Sequence, residues 1–372
     1  MKLWRVPALA LVMICTAFST PGQMALATVP VGANATAISF NAVTNKIYVV
    51  GGMANILTEI DGATFQSVEI PLQETTDIAS TQVVVNPVTN KIYVTNVVSN
   101  NVAVIDGATH AVSFLATALH PVSMGINLVT NKLYVADADA NMVTIIDATN
   151  NTIKNIAVGN QPSAVAVNWV TNRIYVANTN SNTVSVINGK NDSVTTVGVG
   201  QYPISMAVDA VRDKVYVTDL LSNSVTIING QNNSTQNIPV AAYPAHIAVN
   251  ENTNKIYVAF QIPGNIQIID GATDAITTIA AGLFENEFAV DELRNRIYIA
   301  DQTGNQLVIV DGQTNAVTTV PGGGTYLWRI AVNPLTNEIY SANIIGQNAT
   351  IFAGPPASLP VLLLESVQPK LN

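Results

Sequence analysis

The chain has 372 residues, 15 basic against 24 acidic, and only 10% of its residues are charged. Hydrophobic residues reach 48%, yet beyond the N-terminus no apolar run approaches the ~20 residues of a membrane-spanning helix. The acidic balance disfavours a nucleic-acid partner, and a single cysteine excludes a disulfide framework.

Residues 1–27 read as a targeting segment. Lys2 and Arg5 form a positive start, Val6 to Phe18 is an apolar stretch, and Ala25-Leu26-Ala27 has the small-x-small pattern of a cleavage site. Cleavage after Ala27 is the expectation, because the apolar stretch is short for an anchor and is broken by Pro7 and Pro21. A lipid-modified Cys15 does not fit, since Ile14 stands where a small residue would be needed. Processing would remove the one cysteine and leave an acidic protein outside the cytoplasm, either periplasmic, on the cell surface or secreted.

Everything after the leader repeats. Asn-Lys-Ile-Tyr-Val at 45–49 returns at 90–94, with close copies around Tyr134, Tyr175, Tyr216, Tyr257, Tyr298 and Tyr340. The successive Tyr spacings are 45, 41, 41, 41, 41, 41 and 42. Within one unit four alternating apolar stretches follow one another: 83–86, 91–96, 102–106 and 111–115. Turn residues separate them, Asp106-Gly107 being a hairpin signal. Four strands of about six residues with four short connections fill a period of ~40. Blades of that kind must stack around an axis to bury both faces, which predicts an all-β propeller of eight four-stranded blades over residues 28–354. Seven blades with one irregular repeat is the alternative count. The Trp-Asp dipeptide of the WD40 repeat is absent.

Asn-Pro-Val-Thr-Asn-Lys-Ile-Tyr-Val-Thr-Asn at 86–96, followed by Asn-Val-Ala-Val-Ile-Asp-Gly at 101–107, resembles the YVTN-type propeller repeat of surface-layer-type and related exported proteins. The resemblance runs over about nine-tenths of the chain after residue 27. It implies a rigid exported propeller with an extracellular binding or surface role, and it brings no shared catalytic motif.

Ring closure has two candidates. Thr28-Val29-Pro30-Val31-Gly32 matches the fourth strand of a repeat, as at 236–240, and can complete the last blade. Residues 355–372 form a tail whose Leu359–Leu364 stretch competes for that slot, but Pro355, Pro356 and Pro360 suit a sheet poorly. The N-terminal strand is the expected closure.

Departures from the repeat mark candidate function. The units align on the residue ending each first strand: Asn41, Asn86, Asn127, Asn168, Asp209, Asn250, Asp291 and Asn333. Four residues before this anchor, where the innermost strand can face a channel, blades 6, 7 and 8 place His246, Glu287 and Arg329 side by side. Seven residues before it, in the connection between blades, stand Tyr202, Tyr243, Phe284 and Tyr326, with Trp328 nearby. Aromatic faces beside polar groups can hold a sugar or another flat ligand. A second reading stays open, in which the tyrosines pack between blades and Glu287 and Arg329 neutralise each other.

Catalytic signatures are sparse: no G-x-S-x-G, no H-E-x-x-H and no phosphate-binding glycine loop. Asp137–Asn141 imitates the start of a calcium loop but lacks its glycine and final glutamate, so an Asx-rich turn is expected there. No cofactor and no metal are expected. The favoured function is a non-catalytic binding or scaffold module for an extracellular or envelope glycan, peptide or protein, acting as a monomer. The alternative is a propeller hydrolase or lactonase, with Glu287 or His246 as general base and Arg329 steadying an oxyanion. A quinone-dependent dehydrogenase ranks third, since its tryptophan-rich docking repeats are absent.

Overall fold

In the computed structural model, the described residues are 25–72, 80–261, 265–281 and 287–355. They form eight four-stranded antiparallel sheets, and a single 3-10 turn, Thr179–Ser181, is the only helical element among them. Blades 1 to 7 each run in sequence from first to fourth strand. In blade 4 these are Pro162–Asn168, Arg173–Asn178, Thr183–Asn188 and Val194–Gly198. The protein is an eight-bladed β-propeller.

Blade 8 takes its outer strand from the other end of the chain. Ala25–Pro30 pairs antiparallel with Asn348–Ala353, Thr28 opposite Thr350 and Pro30 opposite Asn348. The N-terminal segment therefore closes the ring, although the strand begins three residues before Thr28 and ends at Pro30. Val31 adds one more bond, from its N–H to the Gln347 carbonyl at 3.0 Å. Val29 and Val31 are buried in the seam between blades 8 and 1. Ala25–Ala27 lie within the strand, upstream of the expected cleavage point. The rest of the expected leader, residues 1–24, and the tail from 356 lie outside the described residues.

The core lies between blades. Each of the eight interfaces has its own apolar cluster, such as Ile227 and Ile238 of blade 5 against Ile247, Ile256 and Phe260 of blade 6. The eight repeat tyrosines, in the second strands, are 0–2% exposed.

Asparagine holds the turns. Each blade reverses through turns with a residue at positive φ, and Asn fills most of these positions, among them Asn172 and Asn182 in blade 4. Asn tolerates the left-handed region better than other side-chain-bearing residues, which accounts for its abundance. The anchors have a second task. Asn41 accepts the N–H of Val43 at 3.0 Å and donates its amide to Asn90 of the next blade, also at 3.0 Å. Equivalent bridges recur around the channel, and Asn333 to Asn45 (3.2 Å) spans the junction of the two chain ends. Blades 5 and 7 substitute an Asp-Arg pair: Arg212 binds Asp209 and reaches the Glu251 carbonyl, while Arg294 binds Asp291 and reaches Pro334.

Candidate functional site

The first strands surround a central channel of about 420 Å3. All eight residues four before the anchors line it: Ala37, Gln82, Ser123, Ala164, Ser205, His246, Glu287 and Arg329. An innermost strand has no partner on its inner side, so these side chains also bond freed backbone groups. Ser123 Oγ accepts the N–H of Val165 in the next blade at 3.2 Å, and Gln82 Oε1 accepts that of Met124.

His246, Glu287 and Arg329 come together as the alignment predicts. With Ala245, Gln261 and Trp328 they line a side notch of about 110 Å3 between blades 6 and 8. Arg329 meets the Glu287 carboxylate at 3.2 Å and donates from Nε to the Thr36 carbonyl of blade 1, also at 3.2 Å. Its guanidinium lies 5.6 Å from the centroid of the Trp328 ring. Burial lowers the His246 pKa below the usual imidazole value; the Glu287 carboxylate opposes the shift and the Arg329 cation reinforces it. The notch thus offers an uncharged imidazole beside an ion pair. That is a surface for orienting a polar ligand, and the pairing of Glu287 with Arg329 is the neutralisation that the second sequence reading describes.

Tyr202, Tyr243 and Tyr326 occupy a different place. None of the three lines the channel or the notch. Each sits in the connection before a first strand with φ of 60°, 59° and 70° respectively. Their backbones are fixed at both ends. The Tyr243 N–H donates to Asn223 of the preceding blade at 2.9 Å, and its carbonyl accepts from Gln261 at 3.0 Å. Tyr202 and Tyr326 repeat the pattern through Asn182 and Asn305. Their side chains are 37%, 45% and 37% exposed in chain order, so they are not blade-interface core. Phe284 lies outside the described residues.

Gln261 was not singled out from sequence. It belongs to the turn after a second strand, where only the fold brings it back over the first strands. Asp137, expected in an Asx-rich turn, instead ends the second strand of blade 3 as a buried carboxylate, as does Asp219, not singled out from sequence, in blade 5. Burial raises both to about 6, with Thr144 and Thr226 hydroxyls donating at 2.6 Å in partial compensation. The remaining residues of the calcium-like run form a turn: Asp139 bonds His120 at 2.9 Å, and Asn141 accepts the Gln161 N–H at 2.8 Å. Among the described residues no cluster of three or more His, Cys, Asp or Glu side chains could hold a metal ion. No helix among them is long and apolar enough to cross a membrane.

No protein-family model matches the chain, and no curated protein matches it. Solved structures do, as folds. Sqt1 of Saccharomyces cerevisiae is 12% identical with a TM-score of 0.77, covering 90% of this chain and 100% of its own. A chain of the mitotic checkpoint complex is 10% identical at TM-score 0.65, covering 96% and 98%. A chain of Kuenenia stuttgartiensis hydrazine synthase is 17% identical at TM-score 0.60, covering 74% and 95%. These likenesses place the fold among WD40-like propellers.

Proposed function

We propose that this protein is an exported binding module of the YVTN-repeat type. It engages an extracellular or envelope ligand, a glycan, peptide or protein, through the face that carries the connections between blades. One observation carries the reading: Tyr202, Tyr243 and Tyr326 stand half-exposed in left-handed backbone. A bulky residue there costs roughly 1–2 kcal/mol, and Asn34 shows that the position accepts a better-suited residue. Three exposed rings held on a fixed backbone at such a cost are suited to stacking on a flat ligand. His246 and the Glu287–Arg329 pair would then orient polar groups at the channel mouth.

Titration calorimetry of the exported protein against a panel of oligosaccharides, peptides and lactones tests the reading. Saturable binding without turnover, abolished in Tyr243→Asn and Tyr326→Asn with no loss of melting temperature, is expected. Turnover of a lactone that disappears in Glu287→Gln replaces the binding module with a hydrolase.

A further inference from the structure

The opposite face of the ring has its own asymmetry. In an antiparallel four-stranded blade the turns after the first and third strands emerge together, away from the tyrosine-bearing connections. Two residues past the anchor, seven of the eight first turns present an exposed Val or Leu, such as Val129, Val170 and Val211 in blades 3 to 5. Blades 3 and 4 add a second exposed apolar residue just before it, Leu128 and Trp169, the latter 57% exposed. Blades 6 and 7 carry Glu251 and Glu292 at that same position.

The cations follow the same division. Of the 12 Lys and Arg among the described residues, eight have a carboxylate within 4.0 Å. The four without one are Lys132, Arg173, Lys190 and Lys214, all in blades 3 to 5 and all on this face. The cause is visible in the strands. Blades 1, 2, 6 and 7 end their third strand in Asp61, Asp106, Asp270 and Asp311, which pair with the cation opening the second strand. Blades 4 and 5 put Asn188 and Asn229 there, opposite Arg173 and Lys214. Blade 3 keeps an acid there, Asp147 opposite Lys132, but the two are not within 4.0 Å. Of the sector's other acids on this face, Asp192 pairs with Lys154, Asp209 with Arg212, and Asp213 accepts the Asn168 amide.

We propose that this sector docks on an anionic lipid surface. Equivalent positions of a repeat stand at one height, so the tips of three neighbouring turns reach a plane together. Trp169 and Leu128 can enter the headgroup region there, while the cations behind them that lack a carboxylate partner meet the lipid charge, Arg173 also donating to the Gly230 carbonyl. A second copy of the chain is a poorer occupant, because a two-fold contact would set the same four cations against one another. Duplex nucleic acid is poorer too, since the protruding groups between the cations are apolar. The proposal concerns a different face from the tyrosines and stands or falls separately from the proposed function.

Co-sedimentation of the exported protein with vesicles tests it, using phosphatidylglycerol and phosphatidylcholine mixed one to two against phosphatidylcholine alone. Binding to the anionic vesicles is expected, weakening with added salt. The triple variant Lys132→Gln, Lys190→Gln, Lys214→Gln should lose about fivefold per charge, on the order of a hundredfold in all. Trp169→Ser with Leu128→Ser should also lose binding, while the ion-paired Lys46→Gln with Lys91→Gln should lose far less. All these side chains are at least partly exposed, and unchanged melting temperatures confirm folding. Failure to bind anionic vesicles overturns the proposal, as does equal loss in the Lys46/Lys91 and Lys132/Lys190/Lys214 sets. A dimer in light scattering that Trp169→Ser with Leu128→Ser dissolves reassigns the patch to a second copy.

Discussion

The second strand of each blade and the connection preceding its first strand use tyrosine in opposite ways. In the second strands eight tyrosines are 0–2% exposed, sealed between adjoining blades. Burial raises the hydroxyl pKa to about 12 in Tyr134, Tyr175, Tyr216 and Tyr257. In the connections three tyrosines are half-exposed and sit on backbone that favours Asn. One set fits its local conformation and fills the core. The other meets neither requirement of stability, which is why it carries the functional proposal. A repeat shows this contrast more clearly than a single-copy fold, because each blade supplies a control for its neighbours.

Truncation should separate the two sets most sharply. Tyr175→Ala removes a fully buried ring from the interface of blades 4 and 5, where it packs with Val215 and Val217. A loss of about 3–5 kcal/mol in unfolding free energy is expected, by analogy with buried Phe. Denaturant titration measures it. Tyr243→Ala should lose little by the same measurement, and similar losses in both would dissolve the contrast.

The second strand also ends in a buried polar residue, and the blades again serve as controls. Asp219 accepts from Ser224 and Thr226 hydroxyls, whereas Asn178, its counterpart in blade 4, donates to Thr183 and Ser185. The folded-state pKa of Asp219, about 6, lies above its free value of 3.8. The folded protein therefore holds this proton more tightly. The stability that Asp219 contributes is fullest below about 3.8, falls as pH rises through 6, and is level above that. A shift of this size corresponds to about 3 kcal/mol. Asp137 contributes a similar downward slope between pH 4 and pH 7, and His246, with its lowered pKa, contributes an upward one. The difference between thermal melts of the parent and of Asp219→Asn therefore isolates the Asp219 contribution. Asp219→Asn should raise stability at pH 7 relative to pH 4 and remove the downward contribution of Asp219, since Asn already serves this position in blade 4. The ion-paired Asp61, Asp106 and Asp270 are held below their usual range, so their contribution is lost only as pH falls below 3.8, outside this window.

The blades were legible in the sequence because a 41-residue period fixes strand, turn and register at once. The anchor at Asn41 and its equivalents align the units, so the channel ring from Ala37 to Arg329 is legible in the repeat itself. Ring closure was legible too, apart from Ala25–Ala27, whose small side chains look the same in a cleavage site and in a strand. Three things were not legible. The left-handed backbone at Tyr243 was hidden because tyrosine does not advertise that conformation as asparagine does. The burial of Asp137 and Asp219 depends on neighbouring hydroxyls whose direction of donation a sequence leaves open. Gln261 reaches the notch only through the return of a later turn over the first strands.

The smallest expected effect is also the one with the most unusual sign. Tyr243 has its backbone amide and carbonyl engaged whatever its side chain, by Asn223 on one side and Gln261 on the other. Replacing it by Asn should keep both bonds and relieve the left-handed strain of a bulky residue, as Asn34 does in blade 1. Part of that gain is offset by the ring area that Tyr243 does bury, since its side chain is about half covered. A change in unfolding free energy between zero and about +1 kcal/mol is the outcome expected. The matching exchange at the buried position, Tyr175→Asn, should be strongly destabilising, because it exchanges core area for an amide without a partner. Chemical denaturation of both variants checks the pair. If Tyr243→Asn destabilises by several kcal/mol, the exposed ring is holding blades together and the stacking role assigned to it fails. If it stabilises while ligand binding is lost, the strain at Tyr243 is maintained for the ligand and not for the fold.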